Sequence, residues 1–380
     1  MPIRVTHLIN SLGQGGAERL LLDLDDHWDR DRLDVRVIAL MDAAAPIISR
    51  ADLPPGWRVM GLRGPWDPLG WRRARQALDA APIDILHTHL MLADVLGRRT
   101  AQRRGLPVLT TLHSPAQHYL GPPERRPSLL QSAYERVARA TPGLWVGCSE
   151  QVARSFHDHP RWSADVMVVD NGLDPSRMTL DPRAAAALRQ ELGLREGQIL
   201  LVTVARLVPS KGHRVLIEAL TGMKGLDAVA CWVGDGPLRA GLERRARETG
   251  LWDHLRVAGS RQDVTPYLAA ADVFVLPSLH EGMPMALLEA LAAGLPVVTT
   301  EASGIGEEIA RAGAGLVVNS GDSEALRAAI RTMAGSPDLR QAAGERAAAL
   351  FHERYHAERC AAQYERIYEA LAAGGRTEGR

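Results

Sequence analysis

Two successive doubly wound α/β domains are what this chain predicts, and three observations predict them. Short apolar runs of strand length alternate with helical stretches from end to end, the pattern of parallel strands with crossover helices. The series restarts once, after residues 170–182, where Asp, Gly and Pro crowd together as at a domain junction. At 380 residues the chain has the length of two ordinary domains.

In the first half the strands are expected at residues 3–9, 34–39, 58–61, 83–87, 108–112 and 143–147, with a short one at 166–169. The second series is expected at 199–204, 228–233, 255–258, 273–277, 296–299 and 316–318. Residues 351–371 read as one long amphipathic helix with Tyr355, Tyr364, Ile367 and Tyr368 towards one side. Residues 374–380 read as a disordered tail.

Composition excludes several functions. Basic and acidic residues balance at 45 each, so strong affinity for nucleic acid is not expected. Cys148, Cys231 and Cys360 are far apart without metal-site spacing, which favours free thiols in a reducing compartment. The first ten residues read as a buried strand rather than a signal peptide, and no apolar run is long enough to cross a bilayer. The expected location is the cytoplasm. Arginines cluster at Arg72, Arg73 and Arg75, at Arg98, Arg99, Arg103 and Arg104, and at Arg125 and Arg126, beside Trp66 and Trp71. They suit either ordinary helix surface or a peripheral contact with an anionic membrane face or acceptor.

The chemistry concentrates in residues 279–294. A helix starting at Pro284 and closed by Gly294 has apolar side chains all round except Glu289, so it is expected to be buried, with a partner for that carboxylate. Glu281 lies just before the helix start, where free N–H groups attract anions. Two carboxylates to grip hydroxyl groups, with room for a phosphate between them, suit a sugar nucleotide. The plainer alternative is a buried Glu paired with an Arg, plus a loop Glu in solvent.

The strand at 199–204 runs into Arg206 and Lys211. Ligands of open α/β sheets bind beyond the carboxyl ends of strands, so an Arg fork and a Lys point charge can converge there on a diphosphate without metal. Lys211 and Lys224 are the chain's lysines against a background of arginine, which singles out Lys211. The first strand leads into Gly13, Gly15 and Gly16 before a helical pattern; these lack dinucleotide-fingerprint spacing but let a backbone approach a phosphate. Gly234 to Pro237 read as a tight turn after a strand. His87 and His89 close one strand, two apart and on one side of it, and His113 follows the next. A metal pair there lacks a third ligand of recognisable spacing, so an acceptor pocket is the stronger reading. Asp23 and Asp25, superficially a metal pair, fall inside a helix and read as its solvated face.

Together these segments resemble the retaining glycosyltransferases of family four, over nearly the whole chain. The pieces are Gly15 to Glu18, Asp84 to His89, Thr111 to Ser114, Cys148 to Glu150, Asp170 to Asp174, Arg206 to Gly212, Gly234 to Pro237, and the Glu281…Glu289 pair of the EX7E motif. The resemblance implies the GT-B fold, two Rossmann-like domains facing a cleft. It implies an acceptor-side domain at 1–172, a donor-binding domain at 173–350, and a last helix, 351–373, crossing back to the first. It further implies that Glu289 holds the donor ribose and Glu281 meets the transferred sugar. Arg206 and Lys211 would bind the diphosphate with backbone N–H groups of Gly282, Met283, Met285, Gly15 and Gly16. Arg261 would contact the base and His113 the donor sugar near the reacting carbon, with Glu18, His87 and His89 on the acceptor side.

The expected activity is transfer of a hexosyl or N-acetylhexosaminyl group from a nucleotide-diphosphate sugar to a hydroxyl acceptor. The nucleotide is expected to be UDP, with no obligatory metal and no other cofactor. Glycan, lipid-linked glycan and natural-product acceptors all stay open. A sugar-nucleotide epimerase or hydrolase on the same fold is the alternative. A catalytically silent nucleotide-sugar binder is a third, argued against by the intact catalytic candidates.

Overall fold

The structure, a computed structural model, describes residues 1–44, 46–64, 67–221 and 227–374. Trp66, Lys224 and the expected tail beyond residue 374 lie outside the described residues. The chain divides into two units, Met1–Gly172 with Ala357–Arg380, and Leu173–His356.

The first unit is built on strands β1 (Ile3–Ser11), β2 (Leu33–Met41), β3 (Trp57–Leu62), β4 (Ile85–His89), β5 (Val108–Leu112), β6 (Leu144–Gly147) and β7 (Met167–Val168). They form a parallel sheet in the order β3-β2-β1-β4-β5-β6-β7. The second unit holds β8 (Ile199–Val204), β9 (Ala228–Val233), β10 (Leu255–Gly259), β11 (Val273–Leu276), β12 (Val297–Thr300) and β13 (Gly315–Val318). Their parallel order is β10-β9-β8-β11-β12-β13. Every expected strand is present, each a short and largely apolar run. The slip that matters is β4, two residues later than expected, which brings His89 inside the sheet.

Alternation along the strands sorts the first sheet's two faces. Val5, Ile85 and Leu109 pack against Cys360, Ala361, Tyr364, Ile367 and Tyr368 of helix Ala357–Ala372. Two residues further along the same strands, that face carries His7, His87 and Thr111. The opposite face carries Leu8, Leu86 and Val108, packed with Ala93 and Leu96 of helix Met91–Arg104.

Three expectations are corrected here. The last helix is not continuous from residue 351: helix Pro337–Arg354 ends, Tyr355 and His356 break the pattern, and Ala357–Ala372 starts anew. The break is where Leu173 N donates to the Tyr355 carbonyl at 2.9 Å and pairs alongside His356. Asp23 is buried and ion-paired with Arg19 at 3.0 Å, and Asp25 accepts from Trp57 Nε1 at 3.1 Å, so neither forms a solvated face. Arg98 is no surface arginine. It is fully buried, paired with Asp94 at 2.9 Å, bonded to Thr110 Oγ1 and the Thr141 carbonyl, and stacked on Trp145.

Candidate active site

In the second sheet β8 and β11 are neighbours whose chain continues to opposite sides, to β9 and to β12. That is the switch point beyond which open α/β sheets bind ligands. Residues 205–212 leave β8 there and residues 277–284 leave β11. Gly212, at φ +70°, lies so close that a Cβ would overlap the Pro277 carbonyl oxygen. Leu279 N donates to the Ser210 carbonyl at 2.7 Å, locking one loop to the other.

This locking brings Lys211 and Glu281 together. Lys211 Nζ donates to Glu281 Oε1, and Ser278 Oγ donates to the same oxygen at 2.7 Å. The lysine and glutamate side chains keep 17% and 10% of their exposure, so the pair is reachable from outside. Ser278 is fully buried, and its carbonyl accepts from Thr300 Oγ1 at 2.6 Å. Arg206, on the same loop as Lys211, is exposed.

Helix Met285–Ala292 follows Glu281, with Pro284 as its N-cap rather than its first helical residue. Gly282, Met283 and Met285 are buried. The expectation of burial all round is corrected: Ala286, Glu289, Ala292 and Ala293 are partly exposed on one side. Glu289 therefore lies on that partly exposed stripe rather than in the packed core. Its Cα–Cβ bond tilts towards the helix start, the end where Glu281 lies. Arg261 is exposed beyond β10 and donates from Nε to Tyr267 Oη at 3.0 Å.

In the first sheet the switch point falls between β1 and β4. The glycine loop leaves β1 there and enters helix Gly16–Asp25 with Gly15 as N-cap. Glu18 is buried, its carboxylate folded back so that a Cβ on Gly15 would collide with it. A first-turn acid thus already lies at the positive end of that helix. After β4, Leu90 takes φ +67°, a conformation costly for a branched side chain and concentrated at functional sites.

Four histidines gather beside this point. His7 lies opposite His87 across β1 and β4. His113 Nε2 is 2.9 Å from His89 Nδ1, and His89 Nε2 is 3.0 Å from His7 Nδ1. His7 Nε2 is 3.2 Å from Tyr368 Oη, which is 2.7 Å from His87 Nδ1. His87 Nε2 is 2.7 Å from Thr111 Oγ1, itself 2.9 Å from Tyr364 Oη. Burial lowers His7 to about 3 and His113 to about 4 and holds His87 and His89 well below the ordinary value, so all four are neutral near pH 7.

His87 and His89 were expected to line an acceptor pocket; at 0% and 1% exposure they reach no acceptor directly. The β4 slip encloses them between sheet and last helix. The sequence supplied no third ligand for a metal, yet the fold does: His7, His87 and His89 place one nitrogen each within 4.8 Å of one another. His7 was not singled out in the sequence; its signal was a polar ring in line with Ile3, Val5 and Ile9 on one face of the strand.

A model of glycosyltransferase family 4 matches residues 14–177, and a model of glycosyl transferases group 1 matches residues 185–350. The chain is 27% identical over 350 residues to 2-deoxystreptamine glucosyltransferase of Streptomyces kanamyceticus, covering 89% of this chain and 90% of that one. It is 31% identical over 228 residues, 58% of each, to UDP-Gal:alpha-D-GlcNAc-diphosphoundecaprenol alpha-1,3-galactosyltransferase of Escherichia coli. Among solved structures, Anabaena HepE in complex with UDP and glucose superposes with a TM-score of 0.81 at 22% identity, over 97% of this chain and 100% of that one. No described helix is long and apolar enough to cross a membrane.

Proposed function

Since the chain belongs to the family-four glycosyltransferases, we propose that it transfers a hexosyl or N-acetylhexosaminyl group with retention from a UDP-linked sugar to a hydroxyl acceptor. The acceptor is a glycan, a lipid-linked glycan or a natural product. The observation that carries this reading is the Lys211–Glu281–Ser278 cluster at the second sheet's switch point. UDP as the nucleotude carrier is supported by its presence in the HepE complex, and a lipid-linked acceptor by the name of the Escherichia coli relative.

A diphosphate offers Lys211 and Arg206 stronger partners than a single carboxylate does. Drawing the ammonium towards phosphate frees Glu281 to accept from hydroxyls of the transferred sugar, while Glu289 accepts from the ribose. N–H groups of Gly282, Met283 and Met285 add donors at the positive helix end, and those of Gly15 and Gly16 serve in the same way on the first unit. As the bond to the sugar breaks, negative charge grows on the departing phosphate, and the two cations stabilise it. That phosphate in turn takes the acceptor hydroxyl's proton on the same face. Arg261 contacts the base, His113 touches the donor sugar, and Glu18 serves the acceptor side.

No divalent ion is assigned to this step. Among the described residues the one metal-competent group is the histidine cluster of the first unit, not the surroundings of Lys211. Activity is expected to persist in EDTA; loss on chelation with rescue by a divalent ion would overturn this part. A cytoplasmic enzyme resting on an anionic bilayer is supported by exposed Arg72, Arg73 and Arg75, and co-sedimentation with vesicles that ignores anionic lipid would remove that contact.

Calorimetry with UDP tests the site. Lys211→Ala removes a charged hydrogen bond worth about 1.5–3 kcal/mol, so affinity falls by tenfold or more, and Glu289→Ala weakens it as well, both with the fold intact. Unchanged affinity in both variants counts against the site. UDP release that depends on acceptor supports transfer; release or isomerisation without acceptor supports the epimerase or hydrolase instead.

A further inference from the structure

The reaction outlined above uses His113 alone of the four clustered histidines, yet the other three are joined to it in one unbroken string. Reading inward from His113, each ring is left through Nε2 and the next is entered through Nδ1, with the Tyr368 hydroxyl between His7 and His87. The string ends on Thr111 and Tyr364. A neutral imidazole has one N–H and one lone pair, and each contact needs a single hydrogen between its two atoms.

That sets a strict condition. If His113 donates from Nε2, then His89 must donate from Nε2, then His7, and then Tyr368 must donate to His87, which donates from Nε2 to Thr111. If instead His113 accepts at Nε2, every ring carries its proton on Nδ1. Any mixture leaves one contact with two hydrogens or with none or, where both His7 and His87 donate to Tyr368, leaves the Tyr368 O–H without an acceptor in the string, a costly state for enclosed polar groups. A metal held by His7, His87 and His89 would have to break contacts that already engage both nitrogens of each ring.

We propose that this string is a two-state tautomer relay. Tyr368, His7 and His89 are positioning residues that fix whether His113 presents a lone pair or an N–H at Nδ1 to a sugar hydroxyl. Switching from the Nε2–H to the Nδ1–H state requires one proton to enter at His113 and one to leave at the Thr111–Tyr364 end, and the reverse change runs the other way, so the string holds its state while that end stays enclosed. The catalytic consequence rests on the role given to His113 under Proposed function; the coupling of tautomers does not.

Long-range proton–nitrogen correlation spectra of the full chain, labelled with nitrogen-15 in histidine, read the tautomers directly. In the native protein His7, His87, His89 and His113 share one tautomer; a mixture among the four overturns the relay, as does stoichiometric bound zinc. Tyr368→Phe leaves His7 Nε2 and His87 Nδ1 without a partner. An orphaned buried N–H is the rarer and costlier defect, so both atoms keep lone pairs. The tautomers then split: His87 carries its proton on Nε2, and His7, His89 and His113 carry theirs on Nδ1. A shared tautomer retained in Tyr368→Phe overturns the proposal. Tyr364→Phe, which removes only the group beyond Thr111, keeps the native pattern. Should Tyr368→Phe not fold, the native spectrum decides alone. UDP affinity is measured on the same samples: its absence from the native protein would sink the functional reading and leave the tautomer result standing.

Discussion

The two sheets share a plan and differ in what they put at their switch points. Beyond β8 and β11 stand ionised groups, Lys211 and Glu281, on loops that water reaches. Beside β1 and β4 stand neutral rings sealed between the sheet and helix Ala357–Ala372, hydrogen-bonded to one another. Charge is affordable at the ends of strands, where loops and solvent share the cost of ionisation. Inside a layer, polar groups persist only when neutral and mutually satisfied.

Acid is the strongest way to break this contrast. The unfolded chain binds protons on these histidines near pH 6.5, whereas folded His7 and His113 refuse them until about pH 3 and 4. The contribution of these histidines to stability is therefore level above pH 6.5 and falls as pH drops from there towards 4, by about 1.4 kcal/mol per pH unit for each histidine kept neutral. Among the described residues the second unit has one comparable histidine, His213, lowered to about 4 by burial and then by Lys211. Hydrogen exchange at pH 5 is expected to show β1, β4 and helix Ala357–Ala372 losing protection before β8 and β9. Equal loss in both units would erase the distinction.

Two substitutions sharpen it. Arg98→Ala leaves the buried Asp94 carboxylate without its cation and is expected to cost roughly 3–5 kcal/mol in urea unfolding; a cost below 1 kcal/mol would mean that Asp94 takes up a proton or water cheaply. Gly212→Ala pushes a Cβ into the Pro277 carbonyl at a left-handed position, with an expected cost of roughly 2–4 kcal/mol and loss of UDP binding. Thermal melting and calorimetry check both effects, and near-native values would show the two loops to be loosely joined. The smallest effect is chemical. Burial pushes the Cys231 and Cys360 thiols up to about 12. One therefore lies in each unit, and both are expected to resist alkylation at pH 8 until the protein unfolds. Rapid labelling of either in the native state would show that its layer opens.

The strands were legible because a run such as residues 199–204 is apolar on both faces, and little else in a sequence looks like that. Lys211 was legible against a background of arginine, and Glu281 from its place before a helix start. What stayed hidden depends on partners distant in sequence. His7 is one ring on an otherwise apolar strand face until the register sets it opposite His87. Arg98 looks like helix surface until Thr110, Thr141 and Trp145 close around it. Glu289 was placed in a fully buried helix because alanine does not distinguish a core face from a wetted one. The break at Tyr355 and His356 was invisible because the helical period runs on through it, and the cause is Leu173, far away in sequence.

The second unit interrupts the first, since Leu173–His356 is flanked by the two segments of its neighbour. During vectorial synthesis the inserted unit is therefore complete before Tyr364 and Tyr368 leave the ribosome. Until they do, β1 and β4 carry an uncovered row of imidazoles that can still exchange protons with the surroundings. The arrival of helix Ala357–Ala372 closes that row, so the tautomers are set only after the inserted unit has been made.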